Sequence, residues 1–228
     1  MSAPTDFGHD GCVPIVFVHG LSASSRWWRA VLPLLGGRQA RLVDLPRFGR
    51  SFRPDDVTDW LAAEIETEAP VVLVGHSMGG LVCASLAAKR PELVRALVLI
   101  SPAGAPELRS LQAYAKGLVR TFLSARPGLI RRIAEDAIRA GPEALLHGAL
   151  FATGSSFAGA VSAPTLLIWG ARDRLIPVEL AAEWQRAIPQ ARLEVIEGAA
   201  HVPMVETPSA FAKLLLDFLD DLDNGGGV

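Results

Sequence analysis

Short apolar runs rich in Val, Ile and Leu recur along the chain, each bounded by Gly, Pro or a polar residue: Pro14 to Val18, Ala40 to Val43, Val71 to Val74, Ala96 to Ile100, Thr165 to Trp169 and Leu193 to Ile196. Arg41 and Glu194 apart, they are continuously apolar rather than alternating, as expected of strands buried on both faces of a parallel sheet. Between them, Asp59 to Glu68, Met78 to Arg90, Val178 to Ala187 and Thr207 to Leu222 carry apolar residues at helical spacing, with Pro177 and Pro208 where first-turn prolines are tolerated. Strand runs followed by helical segments read as βαβ units. The pattern predicts an α/β domain with a doubly wound, mostly parallel sheet.

One segment breaks this rhythm. From Ala105 to Ala160 there is no strand candidate, only two or three amphipathic helices punctuated by Pro127-Gly128 and Gly141-Pro142. Residues 105–160 are therefore expected to form a helical cap or lid on a core made of residues 1–104 and 161–228. In the first of its helices Leu108, Leu111, Ala115, Leu118 and Phe122 share one face, which either packs on the core or lines a substrate pocket. At the other end of the chain, Asp217, Asp220, Asp221 and Asp223 oppose the dipole of the last helix, and the reading there is a frayed, solvated end.

Composition narrows the function classes. At 228 residues with 50% hydrophobic and 20% charged residues, the chain can bury one sizeable core, so a single domain is expected. A net charge of −2 offers no electrostatic footprint for nucleic acid, and a small molecule is the expected partner. Two cysteines, Cys12 and Cys83, make no disulfide framework and fit a reducing compartment. The polar stretch from Met1 to Cys12 lacks the pattern of a signal peptide, and no run of about 18 apolar residues is present to span a bilayer, so the expected location is cytoplasmic. No H-E-x-x-H, paired C-x-x-C or P-loop occurs, and neither a metal nor a cofactor is expected.

The candidate chemistry centres on Gly75-His76-Ser77-Met78-Gly79, a G-x-S-x-G run directly after the strand Val71 to Val74 and before the helix starting near Met78. That setting holds a serine on a sharp strained turn with its hydroxyl above the sheet. A serine hydroxyl is a weak nucleophile and needs a base. Among the five histidines, His9 lies in the N-terminal stretch, His147 in the insertion and His19 in a loop of its own, while the elbow turn is expected to point His76 elsewhere. His201 remains, on the loop after the last strand, where open parallel sheets place their sites. Asp173, between a strand and a helix, completes the order Ser, Asp, His, although Arg172 and Arg174 offer it a surface salt bridge as an alternative. The oxyanion donors are expected to be the backbone N–H groups of Met78 and of Leu21, in the loop Val18-His19-Gly20-Leu21.

Taken together, His19-Gly20, the loop Asp44-Leu45-Pro46-Arg47-Phe48-Gly49-Arg50-Ser51, the elbow Gly75 to Gly79, Asp173 and His201 resemble the α/β-hydrolase family over nearly the whole chain, from Pro14 to Leu222. The resemblance implies the roles assigned above and a short helical cap inserted after the strand ending at Ile100, the sixth in the family's own count. Arg47 replaces the first glycine of the family's D-x-P-G-x-G-x-S loop, and only about 13 residues precede the first strand, which implies that the family's leading antiparallel strands are missing or reduced. A serine nucleophile argues against the relatives that use aspartate, such as dehalogenases and epoxide hydrolases.

The leading expectation is therefore hydrolysis of a small carboxylic ester through an acyl-enzyme. Thioesterase or carrier-linked acyl esterase activity, carbon–carbon bond hydrolysis and perhydrolase activity are alternatives on the same triad, and a non-catalytic ligand-binding module is a further one. The carrier idea draws on the insertion, where Arg109, Lys116, Arg120, Arg126, Arg131, Arg132 and Arg139 outnumber Glu107, Glu135, Asp136 and Glu143, although pairs such as Arg131 with Glu135 also suit a plain solvated face. Trp27, Trp28, Phe122 and Phe151 are candidate pocket residues, with Phe157 beside them, and packing in the core is the competing role for at least one of the tryptophans.

Overall fold

The computed structural model describes residues 13–46, 54–104, 111–154, 157 and 159–225, and within them all side chains except those of Pro54, Leu111, Ala113, Tyr114, Phe122 and Ser124. Six strands, β1 (Ile15–Val18), β2 (Ala40–Val43), β3 (Val71–His76), β4 (Val94–Ile100), β5 (Thr165–Gly170) and β6 (Arg192–Ile196), form one sheet in the order β2-β1-β3-β4-β5-β6. Every neighbouring pair is parallel. All six apolar runs read from the sequence are strands.

In the central strands the continuity of the runs follows from burial on both faces, whereas the edge strands β2 and β6 are only partly buried. In β3, Val71 and Leu73 face one core layer while Val72 and Val74 face the other. The alternation repeats in β5, where Leu167 and Trp169 oppose Leu166 and Ile168. Helices α1 (Pro54–Ile65), α2 (Met78–Lys89) and α6 (Ala181–Ala187) cover the first face with residues such as Leu61, Leu81 and Trp184. The short α7 (Pro203–Glu206) and α8 (Pro208–Asp223) cover the second, with Phe211, Leu215 and Phe218 against Phe17 and Val74. This is the doubly wound α/β arrangement expected from the sequence.

Between β4 and β5 run three helices, α3 (Leu111–Ser124), α4 (Pro127–Ala140) and α5 (Pro142–Gly154). Pro127 and Pro142 occupy first-turn positions, where the missing N–H costs no helical bond. Among the described residues no helix is long and apolar enough to cross a membrane.

Two local expectations are corrected. Helix α1 starts at Pro54 rather than Asp59, because Pro54 at its first position and Asp55 and Asp56 in the first turn supply a start signal ahead of the apolar periodicity. The acidic end of α8 is not frayed at its aspartates: Arg38 contacts Asp220 at 2.6 Å and Asp223 at 2.8 Å, and Arg192 contacts Asp221 at 3.1 Å, so cations from the sheet edges offset the unfavourable dipole.

Candidate active site

Because β3 ends at His76 and α2 starts at Met78, Ser77 alone makes the turn between them. Its φ of 51° and ψ of −118° lie where an L residue is strained, at a cost of about 1–3 kcal/mol. The surrounding chain sustains that strain. The Ser77 N–H donates to the Ile100 carbonyl at 2.9 Å, and the Ser77 carbonyl accepts from Gly80 at 2.9 Å and Ala103 at 3.0 Å. Two glycines allow the loop after β1 to lie against this turn. A Cβ on Gly79 would stand 2.7 Å from the Val18 oxygen and closer still to that of His19, and one on Gly20 would stand 2.9 Å from His76 Nδ1 and 3.0 Å from Ser77 Cβ.

Asp173 follows β5 and is buried. Its Oδ1 accepts the N–H groups of Leu175 and Ile176, each at 2.9 Å, and its Oδ2 lies 2.8 Å from His201 Nδ1. A carboxylate can only accept, so the proton of the pair sits on Nδ1, and in the neutral imidazole the lone pair is on Nε2. The side chains of both residues are almost wholly enclosed, at 0% and 8% exposure, which rules out the alternative of a surface salt bridge to Arg172 or Arg174. Arg172 instead donates to the Gly198 carbonyl at 2.6 Å.

Ser77 and His201 open onto one cavity of about 280 Å³. All three inserted helices contribute apolar wall, with Leu118 of α3, Leu129 and Ile133 of α4, and Leu145 and Ala149 of α5. Leu21 borders this cavity and, with Gly20 and Met78, a neighbouring one of about 360 Å³. As the first residue of α2, Met78 has no helical acceptor for its N–H.

His19 ties two loops together. Its Nε2 accepts the Leu45 N–H at 3.0 Å, so its Nδ1 donates to the Gly20 carbonyl at 2.8 Å. Burial lowers its pKa, against the opposing pull of that hydrogen bond and of Asp44 and Asp136, and keeps it neutral.

His76 is turned toward His201 rather than elsewhere, which corrects the sequence expectation. Its ring lies 4.8 Å from that of His201, and its Nε2 donates to the His201 carbonyl at 2.9 Å. Burial, and then the neighbouring His201, push its pKa well below the ordinary value. Glu206, which also borders the cavity, accepts the N–H groups of Ala200 at 2.8 Å and Val202 at 3.3 Å through its carboxylate. The sequence pass missed Glu206, and an acidic residue one turn after Pro203 was the available signal.

The four candidate pocket aromatics separate. Trp27 lines the cavity, and its indole N–H donates to Asp136 of α4 at 2.6 Å. Trp28 belongs to the core: it is 0% exposed and packs between Phe17, with ring centres 4.9 Å apart, and Phe211 at 6.2 Å. Consecutive residues of a 3-10 turn point about a third of a turn apart, so both cannot face one pocket. Phe151 also turns into the core, in the layer that holds Met78 and Leu81, and Phe157 stacks on Trp184 at 5.3 Å. The side chain of Phe122 lies outside the described residues, as do Leu108, Arg109, Glu107, Cys12, His9 and positions 47–51 of the loop that begins at Asp44.

The burial of Asp136 was not legible in the sequence, because a charged residue on an amphipathic helix reads as solvated. Asp136 is 4% exposed. Of the basic residues on these helices, Arg131 pairs with Glu135 at 3.6 Å and is 83% exposed.

Comparison with known proteins places this geometry in context. A model of the alpha/beta hydrolase family matches residues 15–214. The pimeloyl-[acyl-carrier protein] methyl ester esterase of Neisseria meningitidis serogroup B is 32% identical over 246 aligned positions, covering 92% of this chain and 94% of that relative. Among solved structures, a serine hydrolase involved in carbazole degradation superposes with a TM-score of 0.75 at 25% identity, covering 91% of each chain. A thermophilic esterase from Thermogutta terrifontis superposes with a TM-score of 0.73 at 25% identity, covering 92% of this chain and 90% of that one.

Proposed function

The chain belongs to the α/β hydrolase family, and from that premise we propose that it is a serine esterase with Ser77 as nucleophile, His201 as general base and Asp173 as the acid that orients the base. The observation that carries the reading is the buried 2.8 Å contact between Asp173 Oδ2 and His201 Nδ1 beside a cavity that Ser77 and His201 share.

In the proposed reaction, Ser77 Oγ attacks the ester carbonyl carbon while His201 Nε2 takes the hydroxyl proton, and Asp173 stabilises the resulting imidazolium. The carbonyl oxygen becomes an oxyanion that accepts hydrogen bonds from the Leu21 and Met78 N–H groups. Collapse breaks the C–O bond to the alcohol, which leaves with the proton from His201. Water, deprotonated by the same nitrogen, then attacks the acyl-enzyme and frees the acid and Ser77. Residues 105–160 act as a cap, since α3, α4 and α5 supply the apolar wall of the cavity. An ester bearing an extended apolar chain suits that wall.

A carrier-linked acyl ester is the favoured substrate class within this reading. It is supported by the name of the Neisseria relative, which specifies a carrier-bound methyl ester, and by the exposed arginines of α4 such as Arg131.

The test is labelling by a fluorophosphonate together with hydrolysis of p-nitrophenyl esters and of a carrier-bound methyl ester. Labelling and a burst of p-nitrophenolate, both abolished in Ser77→Ala, are expected. Turnover that survives Ser77→Ala overturns the mechanism, and carrier-substrate turnover insensitive to salt overturns the role of the arginines.

A further inference from the structure

Asp136 is a carboxylate of α4 turned inward, and burying such a charge costs several kcal/mol unless it is paired and hydrogen-bonded. Apart from Arg139 of its own helix at 3.3 Å, the partners that stabilise it come from the loop that follows β1. Ser24 Oγ donates to it at 3.2 Å, Arg26 Nε at 3.2 Å and Trp27 Nε1 at 2.6 Å, and Arg26 Nη2 lies 3.1 Å away. The same loop is gripped from the core side by Asp44, which accepts the Ser25 N–H at 2.6 Å and the Ser25 hydroxyl at 2.9 Å. Consecutive residues three and four positions after Leu21 are thus clamped between one carboxylate of the core and one of α4.

Docking a helix on the core would not need this arrangement. Arg26 already contacts Glu135 at 2.9 Å and the Arg132 carbonyl at 3.1 Å, which tie α4 down from outside. What Asp136 adds is a hold on Ser24, in the loop that carries Leu21, and on Trp27, in the cavity wall.

We infer that Asp136 is a positioning residue for the oxyanion loop: by clamping Ser24 and Trp27 it fixes where the Leu21 N–H points, and it makes α4 a stationary part of the active site. This rests on the reading of Ser77 as nucleophile and Leu21 as oxyanion donor. An N–H that meets charge only in the transition state loses rate when displaced, more than it loses substrate binding.

The experiment compares full-length Asp136→Asn, Ser24→Ala, Glu135→Gln and Ser77→Ala. It measures kcat and KM on a p-nitrophenyl ester, affinity for a trifluoromethyl ketone whose serine adduct places an oxygen in the same hole, and Tm. Asp136→Asn is expected to lower kcat by about 10- to 100-fold, with ketone affinity falling in proportion to kcat/KM. Ser24→Ala, which removes only one hydroxyl from the clamp, is expected to reproduce part of that loss at native Tm, and it carries the test should Asp136→Asn not fold. Glu135→Gln is expected to lower Tm while kcat and ketone affinity stay as in the parent protein. The inference is overturned if Asp136→Asn or, in its stead, Ser24→Ala keeps parental kcat and ketone affinity, or if Glu135→Gln loses as much kcat as Asp136→Asn. Retained turnover in Ser77→Ala overturns the underlying functional reading instead, which keeps the two failures apart.

Discussion

His76 Nε2 donates a hydrogen bond to the backbone carbonyl of His201 at 2.9 Å, while its other ring nitrogen is buried without a hydrogen-bond partner. That geometry requires a neutral His76, since a second proton on Nδ1 would be buried unpaired. Burial lowers the pKa of His76 and of His19; His201 and His19 add to the effect at His76, whereas Asp44 and Asp136 oppose it at His19. Below about pH 6.5 the unfolded chain takes up protons at these positions that the folded chain refuses, so stability is present above that pH and is lost as the pH falls toward the lowered folded values. The slope reaches at most about 1.4 kcal/mol per pH unit for each histidine. Urea midpoints at pH 7.5 and 5.5 are expected to show the loss, with a smaller slope in His76→Gln. A flat midpoint across this range would contradict the assignment.

The carboxylate of Asp173 uses Oδ1 for two backbone N–H groups and Oδ2 for His201. Asparagine cannot serve both, because its amide nitrogen must face either the backbone donors or the imidazole Nδ1–H. Asp173→Asn is therefore expected to lower kcat by about 10⁴-fold by disfavouring the productive tautomer, with a far smaller effect on KM. Steady-state kinetics on a p-nitrophenyl ester decide this, and a loss below tenfold would remove Asp173 from the mechanism.

A methyl group at Gly20 would press on His76 and on the β-carbon of Ser77. Since the loop must then lift away from the elbow, Gly20→Ala is expected to reduce kcat/KM by about 10²-fold. Circular dichroism checks that the fold persists. Undiminished activity would show that the loop need not lie this close.

The two adjacent tryptophans should respond differently to substitution. Trp28→Ala empties a fully buried site between Phe17 and Phe211 and is expected to cost about 3–5 kcal/mol of stability, with kcat/KM unchanged wherever the protein stays folded. Trp27→Phe keeps an aromatic wall but loses the hydrogen bond to Asp136, and is expected to lower kcat, as the other losses from the clamp do. Denaturant titration and kinetics on the same preparations separate the outcomes, and an activity loss from Trp28→Ala in folded protein would reverse the assignment.

The strands were legible because parallel strands covered on both faces must be apolar at every position, so Val71 to Val74 or Thr165 to Trp169 admit few other readings. Ser77, Asp173 and His201 stood out for a related reason. Each directly follows, or closely follows, the carboxyl end of a strand, at β3, β5 and β6, where loops project over the sheet. The start of α1 was misplaced because apolar periodicity outweighed the proline and acidic signals at Pro54, Asp55 and Asp56.

The sequence by itself therefore determined the order of strands and helices, the location of the helical insertion and the residue types carried at the strand ends, because each of these depends on neighbours along the chain. Only the tertiary structure decided that His76 faces His201, that Trp28 is core while Trp27 is wall, and that Asp136 is buried against the loop after β1. The Trp27–Asp136 and His76–His201 contacts join residues 109 and 125 positions apart, and local pattern carries no information on which side chain a carboxylate or an imidazole will meet once the sheet has brought them together.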